Sequence, residues 1–310
     1  MSLTVFGTIC IDTIEMPGGV VREGILGGSC TYFAAASSFY TPVRLVAAVG
    51  EDFPADFEAQ IKSFEGVDTA GLERRGGSKP FRWGGKYQEN MDERDTTFTE
   101  LGVLAEAPPE VPESYRDSKV LFLANSHPSV QAGMLDEFPQ RAISVADTMD
   151  FWIDGSRPEL EALISKIDGL VLNFDEAEQF TGKRNTVTAG KLMLEHGPRF
   201  VIIKKGEHGC ILVHRDGIAA LPAFPAEKVV DPTGAGDSFA AGLMGSIAAG
   251  LAADPSMDPG SFENLRRACV HGTVIASFTI EDFSLERLRS LTTAELNDRS
   301  RAFRSMLRVD

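Results

Sequence analysis

The chain has 310 residues, enough for one large domain or two small ones with a sizeable buried core. Hydrophobic residues make up 43% and charged residues 24%. These are globular values, which exclude a disordered, collagen-like or coiled-coil chain. Thirty Lys and Arg against 45 Asp and Glu give a net charge of −15 and a pI of about 4.8. So acidic a surface repels a phosphate backbone, so nucleic acid is not an expected partner, although one local anion site is compatible with it.

Cys10, Cys30, Cys210 and Cys269 form no C-x-x-C pair and do not cluster with histidines. The expectation is buried, reduced thiols in a cytoplasmic protein, with no disulfide scaffold and no structural zinc. Residues 1–12, MSLTVFGTICID, lack the basic start of a secretory signal and look like a strand. The longest apolar run, about Phe239 to Ala253, is shorter than the ~20 residues that span a bilayer. Rich in Gly and Ala, it reads as a tightly packed internal helix, so no membrane partner is expected.

In chain order, strands are predicted at Leu3–Ile9, Val43–Val49, Val120–Ala124, Ala142–Asp147, Leu170–Asn173, Phe200–Ile203 and Cys210–His214. Helical periods lie near 29–40, 54–64, 129–138, 158–166, 174–181, 186–196, 235–252 and 261–279. This alternation predicts an α/β fold with a mostly parallel sheet covered on both faces. Two segments break the rhythm. Residues 13–26 are short and Gly-rich, and residues 80–104 alternate polar with apolar or aromatic side chains, as a small antiparallel sheet with one wet face does. They are read as a β lid, leaving 1–12, 27–79 and 105–310 as the core.

Several familiar motifs fail. His214-Arg215-Asp216 lacks the downstream Asn and Asp-Phe-Gly of a protein-kinase catalytic loop, and reads as a strand end running into a turn at Asp216-Gly217. There is no G-x-x-x-x-G-K-[ST], H-E-x-x-H or G-x-S-x-G.

The segment that carries chemistry is Asp231-Pro-Thr-Gly-Ala-Gly-Asp-Ser-Phe-Ala-Ala-Gly, residues 231–242. Pro232 stops the preceding chain, Thr233 to Gly236 make a small-residue turn, and a helix begins near Ala235. Free amides at a helix N-terminus, with no bulky side chain over them, form an anion cradle. Asp237 stands inside that cradle. A carboxylate beside a phosphate is costly unless it works, and its natural task is to take the proton of an attacking hydroxyl. The amides of Ala235, Gly236 and Asp237 would then stabilise the charge on the transferring group.

DPTGAGDSFAAG resembles the signature of the ribokinase-like, or PfkB, family of carbohydrate and nucleoside kinases. The resemblance continues, in order, through Gly27-Gly28 with VRLVAAVGEDFPADF, Asn173-Phe-Asp-Glu176 and VIIKKGEHGCIL at 201–212. It implies a three-layer α/β/α core with a small β lid, ATP as co-substrate, and transfer of its γ-phosphate to a hydroxyl of a sugar or nucleoside. Asp237 matches the base, and Gly234, Ala235 and Gly236 match the anion hole. Asn173 and Glu176 match a pair that organises Mg²⁺ largely through water, and their i, i+3 spacing at a helix start puts both on one face. Lys204 and Gly206 match positions lining the nucleotide phosphates, and His271 falls where the family closes over adenine. On the acceptor side, Asp12, at the end of the first strand, matches an acid that bonds substrate hydroxyls, and Gly27 and Gly28 match a turn that lets the substrate sit close. Asp231 and Thr233 match positions near a K⁺ site of some members. Lids of the family sometimes pair across a homodimer.

Two departures bear on specificity. The family commonly places Asn five residues after the first Gly of the Gly-Gly turn, where this chain has Tyr32. A phenol offers one hydroxyl and a stacking face rather than a bidentate carboxamide, which tilts the acceptor toward a nucleoside. Cys30 and Thr31 are candidates for the same wall, and Trp83, Tyr87 and Phe98 of the lid are candidates to stack on a base. Ile280-Glu-Asp-Phe lacks the Gly that usually completes the K⁺ site, which argues against potassium dependence. Arg82, Lys86 and Arg94 keep open a keto-sugar-acid or phosphosugar kinase. A non-catalytic nucleotide-binding regulator is the rival from outside enzymology, and the base at Asp237 speaks against it.

Overall fold

The computed structural model describes residues 2–308; Met1, Val309 and Asp310, assigned above to the two ends of the core, lie outside them. Its strands are Leu3–Phe6 (β1), Cys10–Glu15 (β2), Val21–Gly27 (β3), Val43–Gly50 (β4), Val67–Arg75 (β5), Phe81–Tyr87 (β6), Arg94–Glu100 (β7), Val120–Leu123 (β8), Ile143–Asp147 (β9), Gly169–Asn173 (β10), Phe200–Lys204 (β11), Cys210–His214 (β12) and Gly217–Leu221 (β13). Nine of them form one sheet in the order β13-β12-β11-β10-β9-β8-β1-β4-β5, and four form a second in the order β3-β2-β6-β7.

Every neighbouring pair from β5 to β11 is parallel, and β12 and β13 close that end as an antiparallel hairpin. Burial on both faces explains why these strands read as continuous apolar runs. Successive side chains of β8 feed opposite layers. Val120 and Phe122 join one core with Phe33, Phe57, Leu243 and Leu265. Leu121 and Leu123 join the other with Met134, Leu160, Phe180 and Met193. The helices Ser29–Ser37, Ala55–Lys62, Ala235–Ala253 and Phe262–Thr279 therefore cover one face, and Pro128–Met134, Arg157–Ile164, Phe174–Thr181 and Thr186–Glu195 the other. This is the expected three-layer arrangement. All four cysteines are free and buried, and no helix among the described residues is long and apolar enough to cross a membrane.

The small sheet begins earlier than the sequence suggests. The first strand does not run through Ile9: it stops at Phe6, and the chain crosses into the second sheet at Cys10. Asp12 therefore belongs to β2 of the small sheet, opposite Ile25 on one side and Trp83 on the other, and not to the end of a core strand. The inner side of this sheet has a core of its own, in which Ile14, Met16 and Tyr87 pack with Ile25, Trp83, Met91 and Phe283. The sheet is tied to loops beside the core helices by the Tyr87 hydroxyl, 3.0 Å from Thr233 Oγ1, and by Ser284 Oγ donating to the Leu26 carbonyl. The sequence does not predict β5, β13 or the C-terminal helix Thr293–Met306.

Candidate active site

The C-terminal ends of β8 to β11, the start of the helix Ala235–Ala253 and the small sheet enclose a cleft of about 1770 Å³. Ligands of parallel α/β sheets gather at this edge. Local chemistry shapes its floor. Asp231 Oδ1 accepts from Thr233 N at 2.9 Å, turning the chain, and Ala235 N donates to the Pro232 carbonyl at 3.2 Å. Gly234 follows with φ 77°, a left-handed conformation, and supplies no side chain to cap the helix. A Cβ there would lie 2.3 Å from the ring of Tyr32. The first helical amides without a backbone partner among the described residues are those of Gly236 and Asp237; Ala235, expected in the cradle, is already engaged.

Asp237 lies in the cleft wall in that same first turn. Burial raises its pKa, opposed by the charges of Lys204 and Arg94. A raised pKa makes the carboxylate a stronger proton acceptor once it is ionised. Lys204, the last residue of β11, reaches the same spot: a Cβ at Gly236 would meet its Nζ at 2.6 Å. Amides and ammonium thus converge from two elements on one point beside the aspartate.

Asn173 and Glu176 sit at the junction of β10 with the helix Phe174–Thr181. They form a reciprocal capping box: Glu176 N donates to Asn173 Oδ1 and Asn173 N to Glu176 Oε2, both at 2.8 Å. The Asn173 oxygen is therefore committed to the helix start, and Glu176 keeps Oε1 for the cleft. The sequence offers no motif for a further acid here, Asp147, the last residue of β9. It is buried, lines the cleft, and has an Oδ1 with no partner. Its pKa is pushed well above the carboxylate range by burial and then by the charge of Asp237. Its place at a parallel-strand C-terminus was the readable signal. Glu176 and Asp147 are hard oxygen donors that both feel the charge of Lys204 in the cleft, a chemistry that suits Mg²⁺ held through water. Among the described residues no group of three or more His, Cys, Asp or Glu side chains gathers to hold a metal directly.

On the opposite wall, Asp12 is 3% exposed and its Oδ1 is unpartnered. Gly27 makes room for it: a Cβ there would lie 1.8 Å from Asp12 Oδ2. Tyr32, 1% exposed, lies under Gly234 with a hydroxyl that has no partner, and Trp83 Nε1 is likewise unpaired. Asp12, Gly28, Tyr32, Trp83 and Tyr87 line the cleft, as do Gly206, Thr233 and Arg94. Gly27 and the fully buried Asp231 stand just behind its surface. Cys30 and Thr31 are buried in their helix and do not line it, and Phe98 lies against Gly84 away from it.

His271 is a correction. It does not line the cleft; its ring meets Tyr40 edge-on at 5.4 Å, and its Nε2 lies 3.1 Å from an Arg304 nitrogen. Burial, with Arg304 beside it, lowers its pKa to about 4, so the neutral imidazole accepts a hydrogen bond from the guanidinium. Its helix instead presents Thr273, Ala276, Ser277 and Ile280 to the cleft. The K⁺ assignment also gains little: Asp231 Oδ2 is free, but the Ile280 carbonyl already accepts from Val230 N and Asp231 N. One free oxygen does not make a cation shell.

Burial raises the pKa of Asp12 to about 7, with the charges of Asp231 and Asp237 adding to it and Cys10 opposing. A carboxyl with a folded-state pKa above its unfolded value near 4 leaves the fold most stable below pH 4. Stability is then lost as pH rises toward 7. Asp12→Asn is expected to raise the melting temperature at pH 8, by the equivalent of up to about 4 kcal/mol, and to leave it unchanged near pH 3.5. An equal shift at both pH values would show that Asp12 is not held near neutrality.

Comparison with known proteins agrees with this fold. The family described as pfkB family carbohydrate kinase matches residues 2–288. A cytidine kinase of Thermococcus kodakarensis is 29% identical over 260 residues, covering 81% of this chain and 90% of that protein. The nucleoside kinase of Methanocaldococcus jannaschii superposes with a TM-score of 0.75 at 20% identity, covering 97% of this chain and 98% of its own. That of Burkholderia thailandensis, solved in complex with inosine, gives 0.74 at 18%, with the same coverage. With the sequence match spanning nearly its whole length and the fold shared throughout, the chain belongs to the pfkB family of carbohydrate kinases and is a small-molecule kinase acting on a nucleoside or sugar.

Proposed function

We propose that the protein moves the γ-phosphate of ATP to a primary hydroxyl of a nucleoside. The observation that carries this is Asp237 beside two unpaired helix amides and the Lys204 ammonium in one cleft. Asp12 accepts a hydrogen bond from the acceptor and orients it. Asp237 takes the proton of the attacking hydroxyl. The amides of Gly236 and Asp237, with Lys204, hold the oxygens of the transferring group as charge develops there. Mg²⁺, held through water by Glu176 and Asp147, would neutralise the nucleotide phosphates. The small sheet covers the cleft and excludes water, which limits idle ATP hydrolysis.

Tyr32 in place of the family's Asn supports a nucleoside over a free sugar, as do a cytidine kinase among the relatives and the inosine complex among the structural neighbours. Tyr32→Asn supplies a carboxamide able to bond two sugar hydroxyls. It is expected to shift the ratio of kcat/KM for nucleosides to that for free sugars about tenfold toward sugars. An unchanged ratio in a side-by-side rate comparison would remove Tyr32 from acceptor selection.

A further inference from the structure

The cleft runs along the C-terminal edge of the larger sheet, from the small sheet past Asp147 on β9 and Lys204 on β11 to the chain that leaves β13. With the acceptor at Asp12 and Tyr32 and the phosphates at Gly236, Asp237 and Lys204, the base of the nucleotide falls toward β13. Two walls line that end. One is the loop 222–234, through Phe224, Pro225 and Val229; the other is the helix Phe262–Thr279, which packs on β12 and β13 and contributes Ala276 and Ser277. The loop is poorly held by its own backbone, since residues 222–229 make no backbone hydrogen bond among the described residues. Its anchor is the Phe224 ring, which packs on the C-terminal helix Thr293–Met306. The Phe303 ring centre lies 6.2 Å away and the Arg299 guanidinium carbon 5.0 Å away. The same guanidinium lies 3.5 Å from the centre of the Phe278 ring on the helix wall, and its Nη1 donates to Ser277 Oγ at 3.0 Å. Its Nη2 donates to Glu281 Oε1 at 2.6 Å, which fixes the head group. The Ser277 hydroxyl in turn donates to the Val274 carbonyl at 2.7 Å. The family match ends at residue 288, so Arg299 stands outside the pattern that carries family membership.

We infer that Arg299 is a positioning residue for the nucleotide: from behind the cleft it clamps the loop wall to the helix wall, so that the slot for the base is formed before the nucleotide arrives. The inference rests on the phosphotransfer reading of the site, which sets where the base lies. A planar guanidinium can stack on two aromatic rings and donate along its edge at once, which an ammonium cannot. A loop without backbone hydrogen bonds, left unclamped, has to be ordered each time a nucleotide binds, and that ordering is lost from affinity. Clamped beforehand, it contributes its surface in full. The ligand class is an aromatic base, because Phe224, Pro225, Val229, Ala276 and Ile280 offer apolar faces. The phosphates are held by other elements, and Arg299 itself does not line the cleft. Arg299 therefore acts on nucleotide affinity and leaves the transfer step alone.

The test measures Mg²⁺·ADP binding by calorimetry, together with turnover, for the wild type, Arg299→Met, Arg299→Lys and Arg287→Met. Arg287 is the control. It pairs with Glu281 and Glu295 and lies 4.9 Å from the centre of the same Phe278 ring, but it makes no hydrogen bond to Ser277 and does not stack on Phe224 among the described residues. Arg299→Met is expected to weaken ADP binding and raise the KM for ATP about tenfold, with kcat at saturating ATP and the acceptor KM nearly unchanged. Arg299→Lys should recover part of that loss, remaining about threefold weaker than the wild type. Arg287→Met should lower the melting temperature and bind ADP as the wild type does. Wild-type ADP affinity in Arg299→Met would overturn the inference. Equal weakening in Arg287→Met would also overturn it, because the effect would then come from loosening the C-terminal helix as a whole. Should Arg299→Met fail to fold, Arg299→Lys decides, and unchanged ADP binding there overturns the clamp. A wild type that binds ADP but phosphorylates no nucleoside or sugar would remove the phosphotransfer reading and leave the binding comparison to decide on Arg299; one that binds no ADP would remove both.

Discussion

Asp237→Asn is expected to lower kcat by about 10²-fold or more, with little change in the KM for ATP. Asn has the same shape and keeps the helix start, but it cannot take the proton of the attacking hydroxyl. The substitution also removes a buried carboxylate whose pKa burial has raised, so ionising it at neutral pH costs stability. The variant should therefore melt at the same temperature as the wild type or higher. Lost turnover in a protein of undiminished stability separates chemistry from unfolding. Undiminished turnover would show that another group takes the proton.

Gly234→Ala is expected to be severe for a different reason. The residue has φ 77°, a conformation that costs an L-residue about 1–2 kcal/mol, and its Cβ would lie 2.3 Å from the Tyr32 ring. Tyr32 is too deeply buried to step aside, so overpacking adds roughly 1–3 kcal/mol. Relief requires either the phenol or the helix start to move, and both line the site. Stability should fall by about 2–5 kcal/mol in a denaturant titration, with kcat falling at least tenfold in the fraction that folds. A variant with wild-type kcat would show that the cradle does not depend on this turn.

The parallel core was legible because strands buried on both faces must be apolar throughout, and β4, β8, β10 and β12 appear where such runs occur. β5 escaped because an edge strand with half-exposed side chains, VDTAGLERR, carries neither that run nor a clean alternation. The C-terminal helix escaped although Thr292 and Glu295 form a capping box that spelled its start. Asp12 was found, but on the wrong element, because the apolar run to Ile9 hides the point where the chain changes sheets.

In the site, the helix start at Gly234–Asp237 was legible because its chemistry is local. Asp147 went unassigned although it ends a predicted strand, because only the folding of β9 beside the start of the helix Ala235–Ala253 brings it near Asp237. The contact between Tyr87 and Thr233 spans 146 positions. His271 shows the converse: a position carried over by resemblance fell on a side chain that Tyr40 and Arg304 had already engaged. Local motifs thus located the glycine-rich turn, while long-range packing decided what surrounds it.

Transfer of a phosphoryl group from ATP to an alcohol in this cleft leaves a product that can be counted. The most direct measurement is ADP release with Mg²⁺·ATP across a panel of nucleosides and free sugars, for the wild type and for Asp237→Asn. At least one nucleoside is expected to accelerate ADP release many-fold over the acceptor-free rate, with one phosphorylated product per ADP, and Asp237→Asn to abolish the acceleration. Acceleration that survives Asp237→Asn would contradict that expectation, as would ADP release that no nucleoside or sugar stimulates.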